Sequence, residues 1–459
     1  MKVLLVVPNL PKELDWGTTP EPPLGVASVA AYLEDDHEVR ILDNYLERLP
    51  PSEVEKQIRS FSPDAVGISA MTFTFGEAQK IAARVKGIDK NINVFVGGPH
   101  ASLFPAEVLK CENVDAAVRG EGEFTAKEYL DCVKSGKPLN GVAGLAFRRA
   151  GKVELNPPRP VLTDLDSLRM PARHLLKIQE YPEYKMSVLL KPPLTTMCTS
   201  RGCPYNCSYC SSPTIWGRSW RGSGGKRVVD EMQFLVEKYG VRSIKFHEDH
   251  FTLNRKRVLE ICSEITSRGL DVTWQCEARV NNVDREILQA MKKAGCRIVW
   301  YGIESGTQKI LDFYRKGTTL EQIKNAVSLT KEAGVSPMGS FILGAPLESR
   351  EEMEETIRFG LGLGLKEVYF NALIAIPGTD LYDYVVKNNY LHKHLEGGII
   401  EVEGKVPREE VLMFRNKAQK KVITKKILEN WPHLLGYFVT HPAALASKKT
   451  LNTVRFLAK

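Results

Sequence analysis

At 459 residues, with 43% hydrophobic and 26% charged, the chain can fill two or three cores and has the composition of an ordinary globular protein. No apolar run approaches the ~20 residues of a membrane span, which excludes a helical membrane protein, and nine cysteines without a secretory leader point to a reducing cytoplasm rather than a disulfide framework. The net charge of +8 belongs to the tail and not to the body: from Arg415 to Lys459 ten lysines and arginines face one glutamate.

Residues 1–140 alternate strand and helix. VLLVVP (3–8), HEVRILD (37–43), DAVGISA (64–70), NVFVGGP (93–99) and DAAVRGEGE (115–123) read as strands, with PLGVASVAAYLED, SEVEKQIRSF and GEAQKIAARVKG as the helices between them. Single helices between strands require right-handed parallel crossovers, so this part is expected to be a doubly wound parallel sheet of Rossmann type. Ligands on such sheets sit beyond the carboxyl ends of the strands. Those ends carry Asp43, Ser69, Gly97, Gly98, Gly120 and Glu121. The glycines permit close approach of a bulky group or simply form tight turns. No G-x-G-x-x-G follows the first strand, which disfavours a nicotinamide site. Residues 141–190 contain a hairpin turning at Ala150-Gly151 and then the proline-spaced connector NPPRPVLTDLDSLRMPAR.

A second series fills residues 191–390. LTTMC, SIKFHED (243–249), VTWQCEARV (272–280), IVWYGIES (298–305), SPMGSFILG (336–344) and VYFNALIAI (368–376) alternate with helices, as in a partial (β/α)6 barrel of TIM type. Right after its first strand comes TSRGCPYNCSYC, with Cys203-x3-Cys207-x2-Cys210. Three thiolates on one short loop can hold three corners of an iron–sulfur cube and leave the fourth iron open. Cys198 keeps a four-thiolate zinc site open as an alternative, although four ligands within thirteen residues are cramped. At a strand end it is equally a plain buried thiol. Cys111, Cys132, Cys262, Cys276 and Cys296 are scattered and read as core or surface thiols.

The cysteine loop closely resembles that of the radical S-adenosylmethionine (SAM) superfamily. The first domain, through PPLGVASVAAYL, ILD, VGGPHAS and GEGE, resembles the cobalamin-binding domain of its class B members, which include B12-dependent methylases and anaerobic magnesium-protoporphyrin ester cyclase-type proteins. The resemblance implies that Cys203, Cys207 and Cys210 bind a [4Fe–4S] cluster, that SAM chelates the free iron, and that its reductive cleavage gives a 5′-deoxyadenosyl radical. It implies Asp249, Arg279, Glu304, Ser305 and Gly344 as the SAM pocket, and Asp43, Ser69, Gly97, Gly98, Gly120 and Glu121 as cobalamin contacts. Tyr205 and Tyr209 would shield the cluster. Only Asp35-Asp36-His37 approaches the D-x-H-x-x-G loop of many cobalamin domains, and it lacks the glycine, so no histidine ligand to cobalt is expected. His100, at a strand end, is assigned to the loop.

Residues 391–459 form a basic helical region without cysteine, where EEVLMFRNKAQKKVITKKILENW carries apolar and basic residues at helical spacing. One reading is a helix docked on the barrel with a solvated lysine face. The other is peripheral contact with an anionic membrane, with Trp431, Tyr437 and Phe438 at the interface. No nucleic-acid module is recognisable, so no nucleic-acid partner is expected. The function expected is a cytoplasmic radical SAM enzyme that methylates an unactivated carbon of a small-molecule or lipid substrate, drawing electrons from a donor such as flavodoxin or ferredoxin. A non-methylating B12-type cyclase or oxidoreductase, and a non-catalytic iron–sulfur or zinc-binding protein, are the alternatives.

Overall fold

The computed structural model describes residues 1–11, 19–185, 190–395 and 398–440, with only the backbone path beyond 424. Five parallel strands open the chain: β1 (Lys2–Val7), β2 (Glu38–Asp43), β3 (Ala65–Ser69), β4 (Asn93–Gly97) and β5 (Ala116–Val118). Burial on both faces explains their near-continuous apolar runs. Leu4, Val6, Val66 and Ile68 pack on the helices Pro51–Phe61 and Phe75–Ile88, whereas Val3 and Leu5 point to the helices Leu24–Leu33 and Gly122–Ser135. The strand order 2-1-3-4-5 reverses between β1 and β3, which opens a crevice at their carboxyl ends.

The predicted hairpin belongs to the first sheet. Its strands β6 (Leu145–Arg149) and β7 (Lys152–Leu155) continue the first sheet antiparallel to β5, so the first folding unit runs past residue 140 to about 155. The turn has φ of +48° at Ala150 and +78° at Gly151, the left-handed pair that a two-residue hairpin needs. The connector that follows binds both domains. Asp166 accepts from Gly224 N at the start of the barrel helix Gly225–Tyr239, and Tyr181 donates to Asp43 at 2.6 Å. Arg173, 1% exposed, reaches Thr196 O and Glu231.

The second sheet holds β8 (Leu194–Met197), then, after a short antiparallel ladder of β9 (Ser200–Arg201) with β10 (Arg221–Gly222), the strands β11 (Ser243–Phe246), β12 (Thr273–Ala278), β13 (Cys296–Glu304), β14 (Ser336–Leu343) and β15 (Glu367–Ala372). The order 15-14-13-12-11-8, parallel throughout, is the expected six-stranded partial barrel. A small antiparallel sheet joins β16 (Ile374–Ala375), within the sixth predicted strand segment, to β17 (Leu391–His394) and β18 (Ile400–Val402), which lie in the region expected to be helical. Strands as short and polar as LHKH carry no alternation to read. The helix Arg408–Thr440 follows, and Val411, Phe414, Ala418 and Val422 bury its first half in the barrel core. Trp431, Tyr437 and Phe438, on which the lipid-surface reading rests, lie outside the described side chains. No described helix is long and apolar enough to cross a membrane.

At the turn after β14, Glu348 is 1% exposed and accepts from Gly344 N at 2.7 Å and Ala345 N at 3.1 Å. Burial pushes its carboxyl up to about 7 against those two bonds. The folded protein therefore holds a proton that the unfolded chain has lost. The stability from this site is complete below pH ~4 and declines as pH rises towards 7, by roughly 3 kcal/mol in all. Glu348→Gln is expected to flatten that decline, so that its urea midpoint exceeds the parent's at pH 8 and converges with it near pH 4. Parallel curves for the two proteins across that range would refute the assignment.

Candidate functional site

The cysteines sit on a loop whose neck is the β9–β10 ladder, with Arg201 paired to Arg221 and Ser200 to Gly222. Gly202 enters the loop at φ +83°, and a Cβ there would stand 2.5 Å from Ser219 O, so no other residue fits. Cys203, Cys207 and Cys210 are all half-buried and unpaired in disulfides. Burial raises the Cys203 thiol and pushes Cys210 up to about 11, so both keep their protons until a metal displaces them.

The strand ends pin this loop one after another. Ser212, just past Cys210, donates to Asp249 beyond β11. Arg279 beyond β12 donates from Nη1 to Cys207 Sγ at 3.3 Å, binds Lys316 O, and lies 3.7 Å over the Tyr205 ring. Tyr205 OH donates to Asn282 at 2.7 Å, and its ring stacks on His250, whose imidazole burial holds at about 4 and hence neutral. At the end of β13, Tyr209 OH donates to Glu304 Oε1 at 2.8 Å. A register shift between Gly302 and Glu304 and a φ of +71° aim Glu304 at the loop. There Lys316 Nζ meets it at 2.7 Å, both side chains less than 10% exposed.

The remaining barrel candidates are not brought to the loop. Ser305 is fully buried, with its hydroxyl among Thr307 and Thr356. Gly344, φ +90°, packs beneath Val411 of the last helix. Cys198 Sγ donates to Ser200 O at 3.4 Å. Tetrahedral zinc with bonds of about 2.3 Å needs sulfurs about 3.8 Å apart. Among the described residues only His392, Glu403 and Glu409 bring three ligand atoms within 4.8 Å of one another. The thiols therefore do not converge on a single ion.

In the first domain, a cavity of about 200 Å³ opens at the strand ends Ser69, Gly97, Gly98, Gly120 and Glu121 and runs down past Leu5, Gly67 and Phe95, in mid-strand, against the helix Leu24–Leu33. It is a slot between sheet and helix rather than a surface dish. Gly25 and Gly97 line it with negative φ, and a Cβ would meet nothing within 4 Å at Gly25 and nothing closer than 3.8 Å at Gly97. The protein's own packing does not demand glycine there, whereas a bulky occupant of the slot does. Asp43 stands apart: it caps the helix Asn44–Glu47 and accepts from Tyr181, and burial raises its carboxyl. His100 turns away into the core, stacked 4.1 Å from Phe75. Burial lowers its imidazole to about 4.

Two residues of the second domain, Arg201 and Trp216, complete the wall of this slot. Arg201 binds Glu123 at 2.5 Å and lies 3.5 Å from Glu121. Arg221 binds Glu121 at 2.5 Å as well as Leu162 O. Sequence reasoning missed Arg201, Arg221, Trp216 and Lys316. Arg201 and Trp216 could have been sought as neighbours of the cysteines; Arg221 and Lys316 carry no local signal, because their partners come from distant segments.

Comparison with known proteins gives the same division. A B12 binding domain matches residues 18–130, and the radical SAM superfamily matches residues 197–360. An uncharacterized methyltransferase of Pyrococcus horikoshii is 40% identical, covering 85% of this chain and 84% of that protein. The anaerobic magnesium-protoporphyrin IX monomethyl ester cyclase of Rubrivivax gelatinosus is 32% identical over 78% of this chain and 65% of its own length. In fold, the chain is similar to the radical SAM methyltransferase TsrM of Kitasatospora setae, solved with cobalamin and a [4Fe–4S] cluster. The TM-score is 0.71 at 21% identity, covering 90% of this chain and 82% of that one.

The pair Lys316–Glu304 generates a test. Removing one partner of a buried ion pair leaves an uncompensated charge and costs roughly 3–5 kcal/mol. Lys316→Met is expected to lose about that much in urea unfolding, and Lys316→Met with Glu304→Gln to recover most of it. A loss under about 1 kcal/mol for the single variant would mean that Glu304 is not held by this lysine.

Proposed function

Because the chain belongs to the cobalamin-binding radical SAM enzymes, we propose that it methylates an unactivated carbon of a small-molecule substrate. Its cofactors are a [4Fe–4S] cluster, SAM and cobalamin; when bound, the first two supply a 5′-deoxyadenosyl radical that removes a hydrogen atom, and the third carries the methyl group. The observation that carries the reading is the shared wall: the residues flanking the cysteine loop of one domain line the glycine cavity of the other. Both cofactors can then address one substrate carbon.

The chain's own groups bind and shield. Cys203, Cys207 and Cys210 hold the cluster, Arg279 donates to the Cys207 sulfur, and Tyr205 and Tyr209 cover the loop. Asp249, Arg279 and Glu304, which ring the loop at three successive strand ends, are positioned to receive SAM. Ser69, Gly97, Gly98, Gly120 and Glu121 form the mouth of the cobalamin slot. The electron enters from a donor such as flavodoxin or ferredoxin. Kinship with the ester cyclase favours a second reading, ring oxidation or closure without methyl transfer.

Anaerobically reconstituted protein given SAM and dithionite is expected to release 5′-deoxyadenosine. Cys203→Ala, Cys207→Ala and Cys210→Ala should each abolish that release, and Cys198→Ala should retain it. Equal loss from Cys198→Ala would restore the four-ligand site. With a small-molecule extract and methyl-labelled SAM, label in a product supports methylation; a dehydrogenated or cyclised product without label establishes the cyclase reading instead.

A further inference from the structure

The loop that carries the cysteines is built into the wall of the other domain's cavity at both ends. Arg201 precedes Cys203 by two residues and Trp216 follows Cys210 by six, and both line the slot beside Glu121 and Glu123. Neither flank has slack. Gly202, between Arg201 and Cys203, is wedged against Ser219 O, and the neck ladder holds Arg201 in register with Arg221. On the other side the helix Ser212–Trp216 is tied by Ser212 to Asp249 and by Thr214 to Gly378 O at 3.0 Å. The Arg201 guanidinium stands 5.8 Å from the Trp216 ring, so the two flanks also touch each other across the slot wall.

Resting on the reading above, we propose that cluster assembly and corrinoid binding are reciprocally coupled through Arg201 and Trp216. Ligation fixes three points of the loop at once. Because the flanks carry no slack, what ligation does to the loop is carried to Arg201 and Trp216 in the cavity wall, so the second ligand meets a wall that the first has already set. Linkage requires the converse: an occupied slot holds the cluster more firmly, by the same factor. The acidic side of the joint is Glu123, whose carboxylate anchors Arg201 from the first domain.

The test is titration of the full-length protein with hydroxocobalamin, followed by visible absorbance, iron-free and after anaerobic reconstitution with iron and sulfide. For the parent protein the dissociation constant is expected to fall at least about fivefold on reconstitution, the lower end of typical coupling factors. Arg201→Gln, Glu123→Gln and Trp216→Ala should each bring that ratio close to one while binding the parent's complement of iron, and Arg201→Lys should restore part of it. The reciprocal readout is loss of iron to a chelator, slowed by hydroxocobalamin in the parent and not in those variants. Should one variant fail to fold, the others, on opposite sides of the joint, decide the matter. Equal affinities in the two states of the parent, or an undiminished ratio in the variants, would overturn the coupling alone. No hydroxocobalamin binding in either state would overturn the assigned function together with it.

Discussion

Two arginines sit side by side in the neck of the cysteine loop, and two glutamates of the other domain neutralise them. Arg201, Arg221, Glu121 and Glu123 each expose about a tenth of the side chain or less. Without the carboxylates, two buried cations would stand as ladder partners, an arrangement that repulsion and desolvation both oppose. The loop conformation therefore presupposes the first domain. Buried ion pairs add little net stability against apolar alternatives, but they fix geometry. Here the geometry fixed is that of two parallel sheets whose carboxyl ends meet.

The consequence for chemistry is a common chamber. A parallel sheet offers its functional groups at one end only, so joining two such ends is how two large cofactors reach one carbon. The proline-spaced connector makes the joint durable: Asp166, Arg173 and Tyr181 bind barrel or first-sheet groups along its length. Local preferences give way at this chamber. Glu304 takes a left-handed backbone at a strand bulge, and Gly202 takes one where no Cβ fits.

The two parallel sheets were legible because their strands are buried on both faces and read as short apolar runs between amphipathic helices. The cysteine loop was legible from its spacing, and the glycine mouth from residues at strand ends. Ser305 and Gly344 were named through the family resemblance; the bulge before Glu304 turns Ser305 towards Thr356, and the last helix covers Gly344. Asp43 was placed by its strand end on β2, a strand on the far side of the crevice, where it caps a helix. Lys316 and Arg221 were invisible because a charge in a turn or on a two-residue strand looks solvated until its distant partner is known. The hairpin was legible from its turn, whereas its attachment was not, because pairing with β5 is set by the exposed edge of the sheet and leaves no mark on the hairpin itself.

The central claim, that the thiol loop and the glycine slot face one chamber, is tested most directly by pulsed EPR. The sample is anaerobic protein carrying both the reduced cluster and cob(II)alamin, two paramagnets in one chain. Dipolar broadening and faster relaxation of the cobalt signal in the presence of the reduced cluster are the expected result. A spectrum equal to the sum of singly loaded samples would place the two groups in separate compartments and contradict the account.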